Sequence, residues 1–124
     1  MYFKSQFSQE ARKQEALRVI NKFPDRIPVI CEKNMYASKT CPTINKTKFL
    51  VPRDITLGEF LGQIRRRFQL KSNKSMFFFV NNAIMPSSTS VMEELYRRYA
   101  DSDYFLYITY TEENVFGCCS FSRI

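Results

Sequence analysis

The sequence predicts one α+β domain, and three observations carry that expectation. Its 124 residues fit a single domain. Apolar residues fall at helical spacing behind capping residues in three places, and five short runs rich in aromatic and β-branched residues lie among them. The segments interleave as α–β–β–α–β–β–α–β, without an internal repeat or a linker.

Residues 8–22, SQEARKQEALRVINK, form the first predicted helix. Ser8 can cap it, and Ala16, Val19, Ile20 and Phe23 share one face. Pro24 ends it by disfavouring helical geometry in the residue before it. Residues 1–7 contain aromatics but are too short to assign. The first strand is RIPVICEK, Arg26 to Lys33, with Ile27, Val29 and Cys31 on one face. Pro28 has no N–H to donate and argues for a sheet edge or a bulge there. After a loop over 34–45 comes KTKFLVP, Lys46 to Pro52, the second strand. Phe49, Leu50 and Val51 are consecutive in it, and alternation prevents all three from facing one core. At least one must be exposed or line a groove.

Thr56-Leu57-Gly58-Glu59 is a capping box, with the Thr and Glu side chains serving each other's backbone N–H. Leu57, Phe60, Leu61, Ile64 and Phe68 then make an apolar stripe, so 57–68 is an amphipathic helix. Arg65, Arg66 and Arg67 fall in its last turn, where they complement the helix dipole. Ser75 to Val80 lacks alternation and predicts a strand buried on both faces. Asn81-Asn82 suits a turn, and Ala83 to Met85 a short returning strand. Ser90-x-x-Glu93 predicts a second capping box, opening a helix through Tyr99 with Met92, Leu95 and Tyr99 inward. DYFLYITY, Asp103 to Tyr110, is the last strand. These elements can close as a β-grasp sheet crossed by a helix, or as a ferredoxin-like split βαβ.

Composition narrows the function classes. Hydrophobic residues make up 44% and charged residues 25%, the balance of a globular protein rather than a disordered one. No apolar run approaches the roughly 20 residues that span a bilayer. The N-terminus lacks a signal-peptide pattern, so a cytosolic or nuclear chain is expected. There is no histidine and no C-x-x-C pair among Cys31, Cys41, Cys118 and Cys119, so the usual zinc sites and the Ser-His-Asp and Cys-His machineries are excluded. Only lysine, tyrosine or carboxylates remain as general bases, which disfavours an enzyme. Net charge is +7, suiting acidic partners: nucleic acid, anionic lipid or acidic peptides.

Several linked blocks then carry a resemblance: FPDRIPVICEK (23–33), KFLVPRDITLGEF (48–60), FFFVNNAIMP (77–86), MEELY (92–96), DYFLYITY and Phe116-Gly117. In this order they resemble the autophagy ubiquitin-like modifiers, the family of GABA-receptor-associated protein and the microtubule-associated light chains. The resemblance covers about residue 7 to Gly117. It implies a ubiquitin-like β-grasp fold with additional N-terminal helices: an extension over 1–24, the β-grasp domain over 25–117, and a propeptide over 118–124. It implies no catalysis and no cofactor. A processing cysteine protease is expected to cut between Gly117 and Cys118. Ubiquitin-like activating and conjugating enzymes would then join Gly117 to phosphatidylethanolamine on autophagosomal membranes and cytoplasmic vesicles. The chain would otherwise be cytoplasmic and monomeric in solution, without a specific nucleic-acid partner. Glycine suits the chemistry, because the absence of Cβ leaves room for the thioester and the attacking amine. Cys118 and Cys119 also suit palmitoylation before such trimming.

The resemblance further implies recruitment of receptor and adaptor proteins through aromatic-x-x-aliphatic motifs laid along the second strand. Carried over by position, the aromatic pocket comprises Glu15, Val19, Pro28, Ile30, Lys48, Leu50 and Phe105. The aliphatic pocket comprises Phe49, Val51, Pro52, Ile55, Phe60, Gln63 and Ile64. Gln63 departs from the family, where an apolar residue is common. Lys46, Lys48 and Arg67 would meet acidic residues beside the aromatic anchor, although the lysines also guard a sheet edge and Arg67 also suits a helix end. The competing expectation is an unprocessed basic β-grasp domain that binds nucleic acid, cytoskeleton or membrane by its charged surface.

Overall fold

The computed structural model describes residues 2–35, 37, 41, 43–44, 46–68, 76–81 and 84–112. Its elements are α1 (Tyr2–Gln6), α2 (Gln9–Lys22), β1 (Arg26–Lys33), β2 (Lys48–Pro52), α3 (Leu57–Phe68), β3 (Phe77–Val80), α4 (Met92–Tyr99) and β4 (Leu106–Thr111). The four strands form one sheet in the order β2-β1-β4-β3. β1 runs antiparallel to β2 and parallel to β4, which pairs antiparallel with β3. Two central parallel strands, each with an antiparallel outer neighbour, and α3 as the crossover make a β-grasp; the ferredoxin-like arrangement is set aside.

Alternation along the strands sorts the side chains into two layers. Ile27, Val29 and Cys31 of β1 point one way with Leu106, Ile108 and Tyr110 of β4, into the core shared with Leu57, Phe60 and Ile64 of α3 and Met92 and Leu95 of α4. Ile30 and Tyr107 point the other way, with Phe105, and pack against Phe3 of α1 and Ala16 of α2. The helical extension is therefore the second cover of the sheet. Its attachment is largely polar: the Phe3 N–H donates to both oxygens of the buried Glu32 carboxylate, at 2.8 and 3.2 Å. Lys4 Nζ lies 2.9 Å from Asp101, and Arg12 lies 2.6 Å from the fully buried Asp103. Asp103 also accepts the Tyr107 hydroxyl and the Phe105 N–H.

Local features follow the sequence unevenly. Ser8 caps α2 by accepting the Ala11 N–H, and Thr56 and Glu59 complete their box, Glu59 N–H to Thr56 Oγ1 at 3.2 Å. The second box does not form: the residue capping α4 is Val91, and no side chain caps that end. The donors of this end go to the turn after β2 instead, Met92 N–H to Ile55 O and Glu93 N–H to Arg53 O. The Glu93 carboxylate lies 3.6 Å from Arg53 rather than reaching back to Ser90.

Four further expectations need correction. Pro28 sits in an internal strand, not at an edge. The Cys31 N–H donates across to Thr47 O on the β2 side. N–H directions alternate along a strand, so the nitrogen of Pro28 faces the β4 side, where pairing begins only at Val29. The missing donor therefore costs no ladder bond. The last strand begins at Leu106, because Tyr104 takes φ 70° in a turn closed by Tyr104 N–H to Asp101 O. β2 begins at Lys48 rather than Lys46. After Asn81, itself at φ 53°, the return is the isolated bridge Val80–Ile84.

Candidate functional site

β2 ends the sheet, so one side of it is open. The 31/47 pair is hydrogen-bonded, and by alternation so are 29/49 and 27/51. The backbone groups of Lys48 and Leu50 then face outward. The Leu50 carbonyl accepts from Arg26 at 3.4 Å, and Pro52, without an N–H, ends the run of donors.

On one side of this edge, α2 stands off the sheet and leaves a cavity of about 340 Å³. It is lined by Glu15, Val19, Pro28, Lys48, Leu50 and Phe105, together with Arg18, Lys46 and Phe49. Six of the seven residues expected around an aromatic anchor thus meet at one concavity. Ile30 is different: it is fully buried in the layer beneath, with Phe105, and is not among the lining residues. Arg18 was missed from the sequence; it pairs with Glu15 one turn away on α2, a legible i,i+3 spacing. A smaller cavity of about 210 Å³ shares Glu15 and Lys48 and continues towards Phe3, Phe7, Ala11 and Arg12.

On the other side of the edge, β2 meets α3. Val51, Phe60 and Ile64 are buried in the core, and Phe49 and Ile55 pack against it while keeping part of their surface. Pro52 is half-buried, and Gln63 is exposed. Of the seven residues expected around an aliphatic anchor, three are therefore buried beneath this face and four keep exposed surface on it. Phe49 joins the two sides. Its ring meets Phe60 edge-on at 5.8 Å, and two cations flank it, Lys46 Nζ at 5.5 Å and the Arg67 guanidinium at 5.3 Å. Arg67 is thus turned towards β2 and is more than a helix-end charge. Lys46, Lys48, Arg18 and Arg67 surround this edge with Glu15 as the counter-charge, a field that favours acidic ligands.

Among the described residues no cluster of acidic, cysteine or histidine side chains could hold a metal ion, and no helix is long and apolar enough to cross a membrane. Cys31 and Cys41 are buried, and burial pushes the Cys31 thiol well above its ordinary range, which leaves it unreactive. Gly117 and Cys118 lie outside the described residues, as does the rest of 113–124.

A family model for the autophagy protein Atg8, described as ubiquitin-like, matches residues 11–117. The chain belongs to the Atg8 family. Autophagy-related protein 8 of Pichia angusta is 50% identical over 115 residues, spanning 93% of this chain and 90% of the relative. The Atg8 of Mycosarcoma maydis is 47% identical over 116 residues, with 93% and 95% spanned. The crystal structure of Trypanosoma brucei ATG8 superposes with a TM-score of 0.80 at 37% identity, covering 90% of this chain and 93% of that one. As an Atg8-family member the chain is a ubiquitin-like autophagy protein and not an enzyme, and the fold agrees with the resemblance read from its sequence.

Proposed function

We propose that this chain is a membrane-conjugated autophagy modifier that recruits partners by strand addition along β2. The supporting observation is the open edge with the cavity under α2 on one side and the partly exposed Phe49, Pro52, Ile55 and Gln63 on the other. In an extended segment, residues three apart point to opposite faces and sit roughly 10 Å apart. An aromatic-x-x-aliphatic segment paired with Lys48 and Leu50 would therefore send its first anchor to the cavity under α2 and its second to the rim of Phe49, Pro52, Ile55 and Gln63. Acidic residues ahead of the aromatic would meet Lys46, Lys48 and Arg67, raising association rate and selectivity. Gln63 offers a polar amide on that face and would weaken the hold on a purely aliphatic anchor.

In this reading residues 118–124 are a propeptide removed at Gly117–Cys118, and 1–24 is the helical extension to the β-grasp domain over 25–117. Gly117 would pass as a thioester through activating and conjugating enzymes to phosphatidylethanolamine, with no other cofactor. The protein would be a cytoplasmic monomer before conjugation and reside on autophagosomal membranes and vesicles after it. Intact mass of the protein from cytosolic and membrane fractions of its own cells tests this. A chain ending at Gly117 in cytosol, and the same chain with a phospholipid-sized addition on membranes, is expected; Gly117→Ala should abolish the second form. A full-length chain in both fractions under starvation and feeding would overturn it.

A further inference from the structure

The last four residues of the sequence, Phe121-Ser122-Arg123-Ile124, themselves have the aromatic-x-x-aliphatic pattern. Elsewhere the chain shows it in Phe77–Val80 and Phe105–Ile108, both committed to the sheet. From this pattern and the sheet topology we infer that the tail of the untrimmed chain occupies its own β2 groove. The inference rests on the groove reading above.

Direction and reach both allow it. β4 runs parallel to β1, and Tyr110 pairs with Lys33, so β4 ends at the end of the sheet where β1 ends. β2 is antiparallel to β1 and starts at that same end, with Lys48 opposite Ile30. A segment continuing from β4 therefore meets the Lys46–Lys48 end of the edge first and runs parallel to β2. It passes the cavity under α2 before the rim of Pro52 and Ile55, matching the order Phe121 then Ile124. The position beyond β2 lies three strand spacings from β4, roughly 14 Å. The nine residues from Glu112 to Phe121 reach about 30 Å when extended, so the tether spans this without strain.

Affinity is set by the tether rather than by charge. Ser120, Ser122 and Arg123 offer no acidic partner for Lys46, Lys48 and Arg67, so a detached tail would bind weakly. A short flexible linker supplies an effective concentration of about millimolar, enough to fill a site of sub-millimolar affinity. Removal of 118–124 would then free the groove, making partner binding conditional on trimming.

Calorimetry tests this with three proteins and one probe: the full chain, the chain ending at Gly117, the full chain carrying Phe121→Ala and Ile124→Ala, and a synthetic peptide with three aspartates before a Trp-x-x-Leu core. The full chain is expected to bind the peptide about three- to tenfold more weakly than the trimmed one, through competition by the tethered tail. The double variant should bind as the trimmed chain does. Equal binding by all three would overturn the tail's role and leave the groove reading standing. Absence of binding by every form would overturn both. Competition that grows with protein concentration would identify the tail of a second copy as occupant and overturn the intramolecular form.

Discussion

The two covers of the sheet are held by different physics. On the α3/α4 side, Leu57, Phe60, Ile64, Met92 and Leu95 interlock with all four strands in a continuous apolar core. On the α1/α2 side, the apolar cluster among the described residues is Phe3, Ala16, Ile30, Phe105 and Tyr107, and the helices are tied down by the carboxylates of Glu32, Asp101 and Asp103. Apolar burial is non-directional and tolerates small shifts, whereas charge-assisted hydrogen bonds fix position and lose strength steeply with distance. The first cover makes the domain stable. The second sets where α2 stands, and so the width of the cavity beside β2.

Phe60→Ala probes the first cover and should have the largest effect. It removes a buried ring in contact with Phe49 and is expected to destabilise the whole domain by about 3–5 kcal/mol, read as a lower urea midpoint at unchanged slope.

Arg12→Ala probes the second. It leaves Asp103 buried without its cation, a change expected to cost about 3 kcal/mol. The loss should be local: hydrogen exchange should accelerate in α1 and α2 while β1, β4 and α3 keep their protection. Equal acceleration throughout would show that the two covers unfold together.

The smallest effect concerns Asp101. Burial opposes its ionisation, but the bond from Lys4, the Asp103 N–H and the nearby Arg12 outweigh it and lower its pKa. A carboxyl with a depressed folded-state pKa contributes stability that is complete above the ordinary carboxylate range and lost as pH falls through the folded value. Attachment of α1 should therefore weaken as pH falls below about 4, by less than about 1 kcal/mol because the pair is partly exposed. Asp101→Asn should flatten this part of the pH profile, followed by the amide signals of Tyr2–Gln6.

The sequence was most legible where local rules and tertiary packing agree. α2 and α3 carry both an apolar stripe and a side-chain cap, and each lies within a residue of its expected span. α1 was not legible, because five residues cannot sustain a helix alone; its stability comes from Glu32 and Asp101, distant in the chain. The α4 capping box failed because its two donors are taken by backbone carbonyls, the Glu93 N–H by Arg53 O and the Ser90 N–H by Ser87 O. In the candidate site, Phe49, Leu50 and Val51 announced an edge that serves two faces, through alternation alone. Ile30 has the parity of the cavity and packs with its lining residue Phe105, but its own surface is fully covered, which alternation alone does not reveal. Arg67 could be placed only once the ring of Phe49 was seen beneath it.

Pro52 has a consequence for traffic through this edge. Within β2 the outward donors are the N–H groups of Lys48 and Leu50, and one of the matching carbonyls is already shared with Arg26. The ladder open to an incoming strand is only a few bonds long, too short to seed the indefinite stacking that long bare edges invite. In the strand-addition reading proposed above, a platform of that length would favour brief, frequent visits, so that many copies on one surface, not a single copy, would decide what stays.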